Sequence, residues 1–214
     1  TNNSDLAKGL KGQEIVYNFA ALADIDKARM QPLKTMQVNI EGTLNILNFC
    51  KKFNIKKIIH ASSIYANSAE GSYYAISKRC AEDYIEEFSK LNNLKYTILR
   101  FGSLYGGRAD ENNGIQRIIS NLVYKKKLVY RGEKKATRKY INVKDAARAC
   151  VQILNKRYEN KYLNITGKKV IKIHSLLKNL ARNYTVKNKI KFLNEKNTSH
   201  YNIQPTPYKI RESQ

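Results

Sequence analysis

Cysteine is scarce in these 214 residues, and the three present, Cys50, Cys80 and Cys150, stand far apart with no C-x-x-C spacing. That excludes a disulfide scaffold, offers no zinc signature and suits the reducing cytoplasm. Histidine is equally sparse. His60 sits inside a strand-like run, where a packed core residue is expected, while His174 and His200 have no partner at metal-ligand spacing, so no metal is expected. No apolar run approaches the ~20 residues of a membrane-spanning helix, so no membrane partner is expected. Internal repeats and low-complexity linkers are also missing. What is plentiful is hydrophobic residues, 42% of the chain, enough to build a core and to exclude a disordered tail.

Negative charge is in short supply too: 17 Asp and Glu face 40 Lys and Arg, a formal net charge of +23. Such a balance raises nucleic acid as a partner. Its best segments are Lys125-Lys126-Lys127 and residues 131–139, interleaved with Tyr124, Tyr130 and Tyr140. The remaining basic residues, however, are spread over every segment instead of forming one stripe. A solvated basic surface accounts for them, and a basic nucleic-acid-binding module is kept only as the minor alternative.

Helix-like and strand-like patterns alternate along the chain. Residues 4–12 read as a short helix capped by Ser4, and 15–19 (IVYNF) as a buried strand. Residues 33–53 carry Met36, Ile40, Leu44, Leu47 and Cys50 three or four apart, predicting one long amphipathic helix. A strand over 56–63, a helix over 73–91 and a strand over 96–101 complete a βαβαβ unit with a parallel sheet. Beyond it, helices are predicted at 115–124, 145–155 (capped by Asp145) and 174–184. Strands are predicted at 128–131, 138–143 and 161–166, and the tail from Asn194, with Pro205 and Pro207, is expected to be loosely held.

In an open parallel sheet, ligands gather beyond the carboxyl ends of the strands. Those ends carry Ala20-Ala21, Ser62-Ser63 and Gly102-Ser103, small residues that admit a close ligand. Eleven residues after Ser63 comes Tyr74, and Lys78 follows at i+4 on the same helix face. A free tyrosine titrates near ~10, and a neighbouring ammonium favours the phenolate. Tyr, Lys and Ser together make a proton-transfer set for an alcohol or ketone. The spacing alone is not distinctive, since it recurs at Tyr130/Lys134 and Tyr140/Lys144. Only the first pair follows a crossover with a serine pair upstream.

In that context the residues resemble the extended short-chain dehydrogenase/reductases, the NAD-dependent epimerase/dehydratase family that acts on nucleotide sugars. IVYNFAA (15–21) is similar to that family's fourth strand, with Asn18 where histidine is more usual. VNIEGTLNIL (38–47) resembles its asparagine-bearing helix, placing Asn39 behind the tyrosine. KKIIHASSIYA (56–66), YYAISKRCAEDY (73–84), LRFGSLYG (99–106), TRKYINVKDAA (137–147) and KYLNITG (161–167) follow in the family's order.

The resemblance implies an α/β fold with a partial Rossmann-type parallel sheet over 1–103. A smaller, mainly nucleotide-sugar-binding region over 104–214 would send segments back to that core. Tyr74 would be the acid/base, Lys78 would hold the cofactor ribose and depress the tyrosine, and Ser63, with Ser62 as alternative, would bind the sugar oxygen. Ala20, Ala21, Leu22, Asn39, Ala61 and Phe101 would join Tyr74 and Lys78 around NAD, or NADP. Ser103, Asn113 and Arg138 would meet the substrate, the arginine at its diphosphate. Ser63 is followed by Ile64 and Tyr65, not by the acidic pair of the dehydratases or the cysteine of the epimerase-reductases. That leaves a 4-epimerase or keto-sugar reductase, in the synthesis of surface-polysaccharide precursors.

The family's opening strand and G-x-x-G-x-x-G turn find no counterpart, GLKG (9–12) being too short and following a helix. The chain as given is therefore expected to bind NAD weakly or not at all, or to be a shortened, inactive relative. A full-length form would be a homodimer through helices 33–53 and 73–91.

Overall fold

The computed structural model describes residues 2–184 and 190–193. The expectation for the tail from Asn194, and for His200, lies outside these residues. Among them, 2–101 with 149–165 form one compact unit, and 102–148 with 166–184 and 190–193 form another. No described helix is long and apolar enough to cross a membrane.

The first unit is a four-stranded parallel sheet with helices between its strands. Its elements are α1 (Asn3–Leu10), β1 (Ile15–Asn18), α2 (Ile25–Met30), α3 (Pro32–Met36), α4 (Gly42–Lys52), β2 (Lys57–Ser63), α5 (Ser72–Asn92), β3 (Lys95–Phe101) and, from the returning segment, β8 (Lys161–Ile165). The spatial order is β1-β2-β3-β8, with Asn18 opposite His60, and Ser63 opposite Phe101. β2 and β3 are buried almost throughout, polar residues included, whereas β1, expected to be a buried strand, alternates exposed Ile15 and Tyr17 with buried Val16 and Asn18. Val16, Leu47, Cys50, Ile58, Ile85 and Ile98 pack into one core where α4 and α5 lie on the sheet. The returning stretch is tied down by polar contacts. Tyr17 donates to the Cys150 carbonyl (2.7 Å), Lys57 Nζ to that of Ile153 (2.8 Å) and Thr97 to that of Tyr158 (2.8 Å).

The single helix expected over 33–53 is interrupted. A π turn, Gln37–Glu41, separates α3 from α4. The wider turn inserts one residue into the helical period and rotates everything before it. Met36, expected to face the core, is therefore exposed, and Asn39 is buried instead. Two caps also differ from expectation. Asn2, not Ser4, caps α1 by accepting from the Ser4 N–H at 3.0 Å. The helix expected from Asp145 is α7 (Val143–Gln152), where Asn142 accepts from Lys144 N–H at 2.9 Å while Asp145 pairs with Arg148. An asparagine ending a strand reaches the first free N–H groups sooner than a residue one turn inside.

The second unit contains β4 (Ser103–Tyr105), α6 (Gly114–Lys125), β5 (Val129–Tyr130), β6 (Thr137–Arg138), β7 (Tyr140–Asn142), β9 (Ile171–Lys172), α8 (Ile173–Asn183) and β10 (Lys191–Phe192). The strand expected over 138–143 is split: β6 pairs with β9 and β7 with β4. Ile118, Leu122, Leu128, Ile173 and Leu177 form the core between α6 and α8. Backbones meet closely at Gly167, where a Cβ would lie 2.0 Å from the Tyr140 carbonyl oxygen. Gly167→Ala must push this loop away from the β7 backbone at Tyr140 and is expected to cost about 2 kcal/mol, read as a lower urea midpoint.

Candidate active site

Because β1, β2 and β3 run parallel, their carboxyl ends share one edge of the sheet. Phe19, leaving β1, meets Phe101, at the end of β3, edge to face at 6.1 Å between centroids. Ala20 and Ala21 follow, and Leu22 is then clamped by Asn39. Its N–H donates to Asn39 Oδ1 at 2.7 Å, and its carbonyl accepts from Nδ2 at 3.1 Å. The same amide donates to Ser77 Oγ (2.9 Å), which donates to the Tyr74 carbonyl (2.8 Å). Asn39 thus stands behind Tyr74, and the π turn is what brings it there.

Behind this clamp lies a second buried chain. Thr43 donates to the Asn39 carbonyl at 2.8 Å and accepts from Asn18 Nδ2 at 3.2 Å. Asn18 Nδ2 also lies 3.1 Å from His60 Nδ1, which as acceptor leaves the ring neutral with its proton on Nε2. Burial, with Lys78 nearby, holds His60 well below its ordinary value of 6.5. It is the packed core residue expected of it.

Tyr74 and Lys78 lie on the inner face of α5, both buried. Ser63 hydrogen-bonds the Tyr74 side chain and so opposes its rise, but burial is the larger effect and pushes the phenol up. Lys78 Nζ donates to the Ala61 carbonyl at 2.7 Å and stands 5.9 Å from the Tyr74 ring centroid. Burial pushes the ammonium down to about 8, against the pull of Glu82. The expected depression of Tyr74 by Lys78 is therefore outweighed. The ammonium is directed at a backbone carbonyl, and desolvation of the phenolate prevails.

The two serines meet different turns of α5. Ser62 donates to the buried carboxylate of Glu82, a short contact that turns it away from Tyr74. Ser63, facing Tyr74, also accepts from the Tyr65 N–H at 3.3 Å and so caps a 3-10 turn, Ile64–Asn67. The connection to α5 closes at Gly71 (φ +97°), where a Cβ would stand 2.7 Å from the Tyr65 ring. That close approach lets Tyr65 lie edge-on to Tyr74, with centroids 6.4 Å apart.

Ser103, Asn113 and Arg138 belong to the second unit. Asn113 caps α6, accepting from Ile115 and Gln116 N–H and donating to the Leu104 carbonyl at 2.9 Å. Arg138 donates to the Thr137 carbonyl (2.8 Å) and the Tyr130 hydroxyl (3.2 Å). Ser103 opens β4, opposite Tyr140. Two residues escaped the sequence reading. Glu82 was within reach of it, lying four residues beyond Lys78. Ser77 was not, because its role depends on the π turn.

The His60 ring carries a pH signature. Its folded-state value is depressed, so the unfolded chain takes up the proton first, and stability falls as pH drops below 6.5. The loss due to this ring is expected to reach about 1 kcal/mol by pH 5.5. Urea melts at pH 7.5 and 5.5 check it: His60→Gln should flatten that slope whatever it does to absolute stability.

The model of the NAD dependent epimerase/dehydratase family matches residues 1–166. A putative UDP-glucose 4-epimerase of Methanocaldococcus jannaschii is 31% identical over 176 residues, covering 74% of this chain and 57% of the relative. A UDP-glucuronate 4-epimerase of Thermodesulfobacterium geofontis is 28% identical over 193 residues, 84% of this chain and 59% of its own. The chain thus spans less than two thirds of the length of these relatives. Among solved structures, a UDP-N-acetylglucosamine 4-epimerase from Methanobrevibacter ruminantium superposes with a TM-score of 0.83 at 28% identity, over 94% of this chain and 69% of that one. The match of the family model and these likenesses in sequence and fold show that the chain belongs to the NAD-dependent epimerase/dehydratase family.

Proposed function

We propose that this chain carries the acid–base centre of an NAD-dependent nucleotide-sugar 4-epimerase or keto-sugar reductase. The observation that carries the reading is the convergence of Tyr74, Ser63 and Lys78 at the carboxyl ends of three parallel strands. The absence of an acidic residue at positions 64 and 65 favours this over dehydration. Relatives named as UDP-sugar 4-epimerases support the substrate class, and a role in making surface-polysaccharide precursors is the proposed setting.

The residues suit a dinucleotide. The Lys78 ammonium has three N–H donors and directs one at Ala61, so ribose hydroxyls are natural partners for the others. Small Ala20, Ala21 and Ala61 and the flat Phe101 ring line the strand ends. When bound, NAD, or NADP, would supply the hydride acceptor for the sugar carbon. Tyr74 would take the proton of the sugar hydroxyl and return it, and Ser63, already hydrogen-bonded to Tyr74, would hold that same oxygen. A phenol kept high by burial holds its proton at rest, so Tyr74 is readied to donate to a keto oxygen; that donation leaves the phenolate, which alone can take a hydroxyl proton in the opposite step. Asn39 fixes Leu22 and the Tyr74 backbone. Ser103, Asn113 and Arg138 would hold the nucleotide sugar, the arginine suiting a diphosphate.

Two outcomes are expected of the polypeptide that carries this sequence, assayed for interconversion of UDP-sugars. Tyr74→Phe should lower turnover by about 10² to 10⁴ with binding of the UDP-sugar retained. Unchanged turnover in that variant overturns the reading. With Lys78 titrating at about 8, the ammonium is present below that pH and lost above it. The pH profile of kcat/KM should accordingly fall on its alkaline side from about pH 8, a limb absent from Lys78→Arg.

A further inference from the structure

One carboxylate in the first unit serves several partners at once. Glu82 lies one helical turn beyond Lys78 on the inner face of α5 and is only 2% exposed. It accepts from the Ser62 hydroxyl, from Arg100 Nε at 2.9 Å and from the Arg100 terminal nitrogen. Arg100 comes from β3, is itself buried, and lays its guanidinium over the Tyr162 ring with Cζ 4.6 Å from the centroid. Burying both ions is costly, and a hydrophobic pair of similar volume commonly serves stability as well. A clamp between α5 and the sheet therefore does not by itself explain why a charge is used.

What distinguishes this position is its neighbour. Lys78 donates to the neutral Ala61 carbonyl, and burial favours its uncharged amine. The groups around Lys78 and Glu82 are Tyr74 on α5, neutral His60, Ser62 and Ser63 on β2, neutral Asn39 and Thr43 around the π turn, Arg100 on β3 and Tyr162 on β8. Glu82 is the anion of that set. Its other contact, Ser62, directly precedes the serine that meets Tyr74.

We propose that Glu82 is a positioning residue of the acid–base centre. Its carboxylate keeps Lys78 an ammonium over Ala61 and, by holding Ser62, fixes the end of β2 that presents Ser63 to Tyr74. This rests on Tyr74 and Lys78 being the acid–base pair. Glu82 touches no reacting atom and acts only through its neighbours.

The test is a carbon-13 NMR titration of the whole chain labelled at lysine Cε, with no substrate or cofactor added and Lys78 identified by its loss in Lys78→Arg. The wild-type midpoint is expected at about 8. Glu82→Gln should weaken the proton affinity of Lys78 by about tenfold or more, one pH unit, while Glu82→Asp keeps most of it. A midpoint that stays within about 0.3 pH unit of wild type in a folded Glu82→Gln variant overturns the inference. Where Glu82→Gln fails to fold because Arg100 is left unpaired, Glu82→Gln/Arg100→Met removes both charges and is read against Arg100→Met, so that only the carboxylate differs. Loss of fold in both variants makes Glu82 a folding residue alone and also overturns the inference. The two readings fail separately. An unmoved Lys78 beside Tyr74-dependent turnover removes the role of Glu82 only. A shifted Lys78 in a protein indifferent to Tyr74→Phe removes the catalytic pair itself.

Discussion

Helix α5 lays polar side chains against the sheet on the face where a helix ordinarily buries apolar ones. Tyr74, Ser77, Lys78 and Glu82 are all buried there beside Ala81 and Ile85. Each desolvated group must find a partner or shed its charge, since an unpaired one is costly. The partners come from two strand ends and the π turn: Ser63 for Tyr74, the Ala61 carbonyl for Lys78, Ser62 and Arg100 for Glu82, and Asn39 for Ser77. The rest of the site depends on this matching. A one-residue slip of β2 would exchange Ser62 for Ser63 and leave both Tyr74 and Glu82 facing the wrong groups.

The same interior decides the electrostatics. Desolvation pushes Tyr74 up and Lys78 and His60 down, and in each case it is the largest influence. Nearby charges and hydrogen bonds only moderate it. The surface contrasts with this. Among the described residues, the ion pairs Arg29–Asp26, Lys90–Glu87 and Arg148–Asp145 are well exposed, and pairs of that kind contribute little. Among the described residues Lys57, Lys78 and Arg100 are the lysine and arginine side chains that are buried, and the chemistry is set by the few ions inside.

Much of this was readable beforehand. The alternation of strand-like and helix-like segments announced the parallel sheet, and the i, i+4 placement of Tyr74 and Lys78 put both on one helix face. The order of the motifs indicated the family. The extra residue of the π turn was not readable, because no local signal marks it. It is sustained by the hydrogen bonds of Asn39 to Leu22 and Ser77, partners 17 and 38 residues away. The cap of α7 was misjudged for a related reason: β7 runs directly into the helix and brings Asn142 to the capping position.

The sequence by itself determined which elements form and which residue types gather at the strand ends, since periodicity and spacing are local properties of the chain. Tertiary structure alone decided which serine faces Tyr74, whether Lys78 or burial governs the phenol, and that Glu82 has Lys78 for a neighbour and Ser62 for a partner. Those outcomes depend on strand register, on distances across the sheet and on the exclusion of water. None of these exists until α5 has closed over β2 and β3.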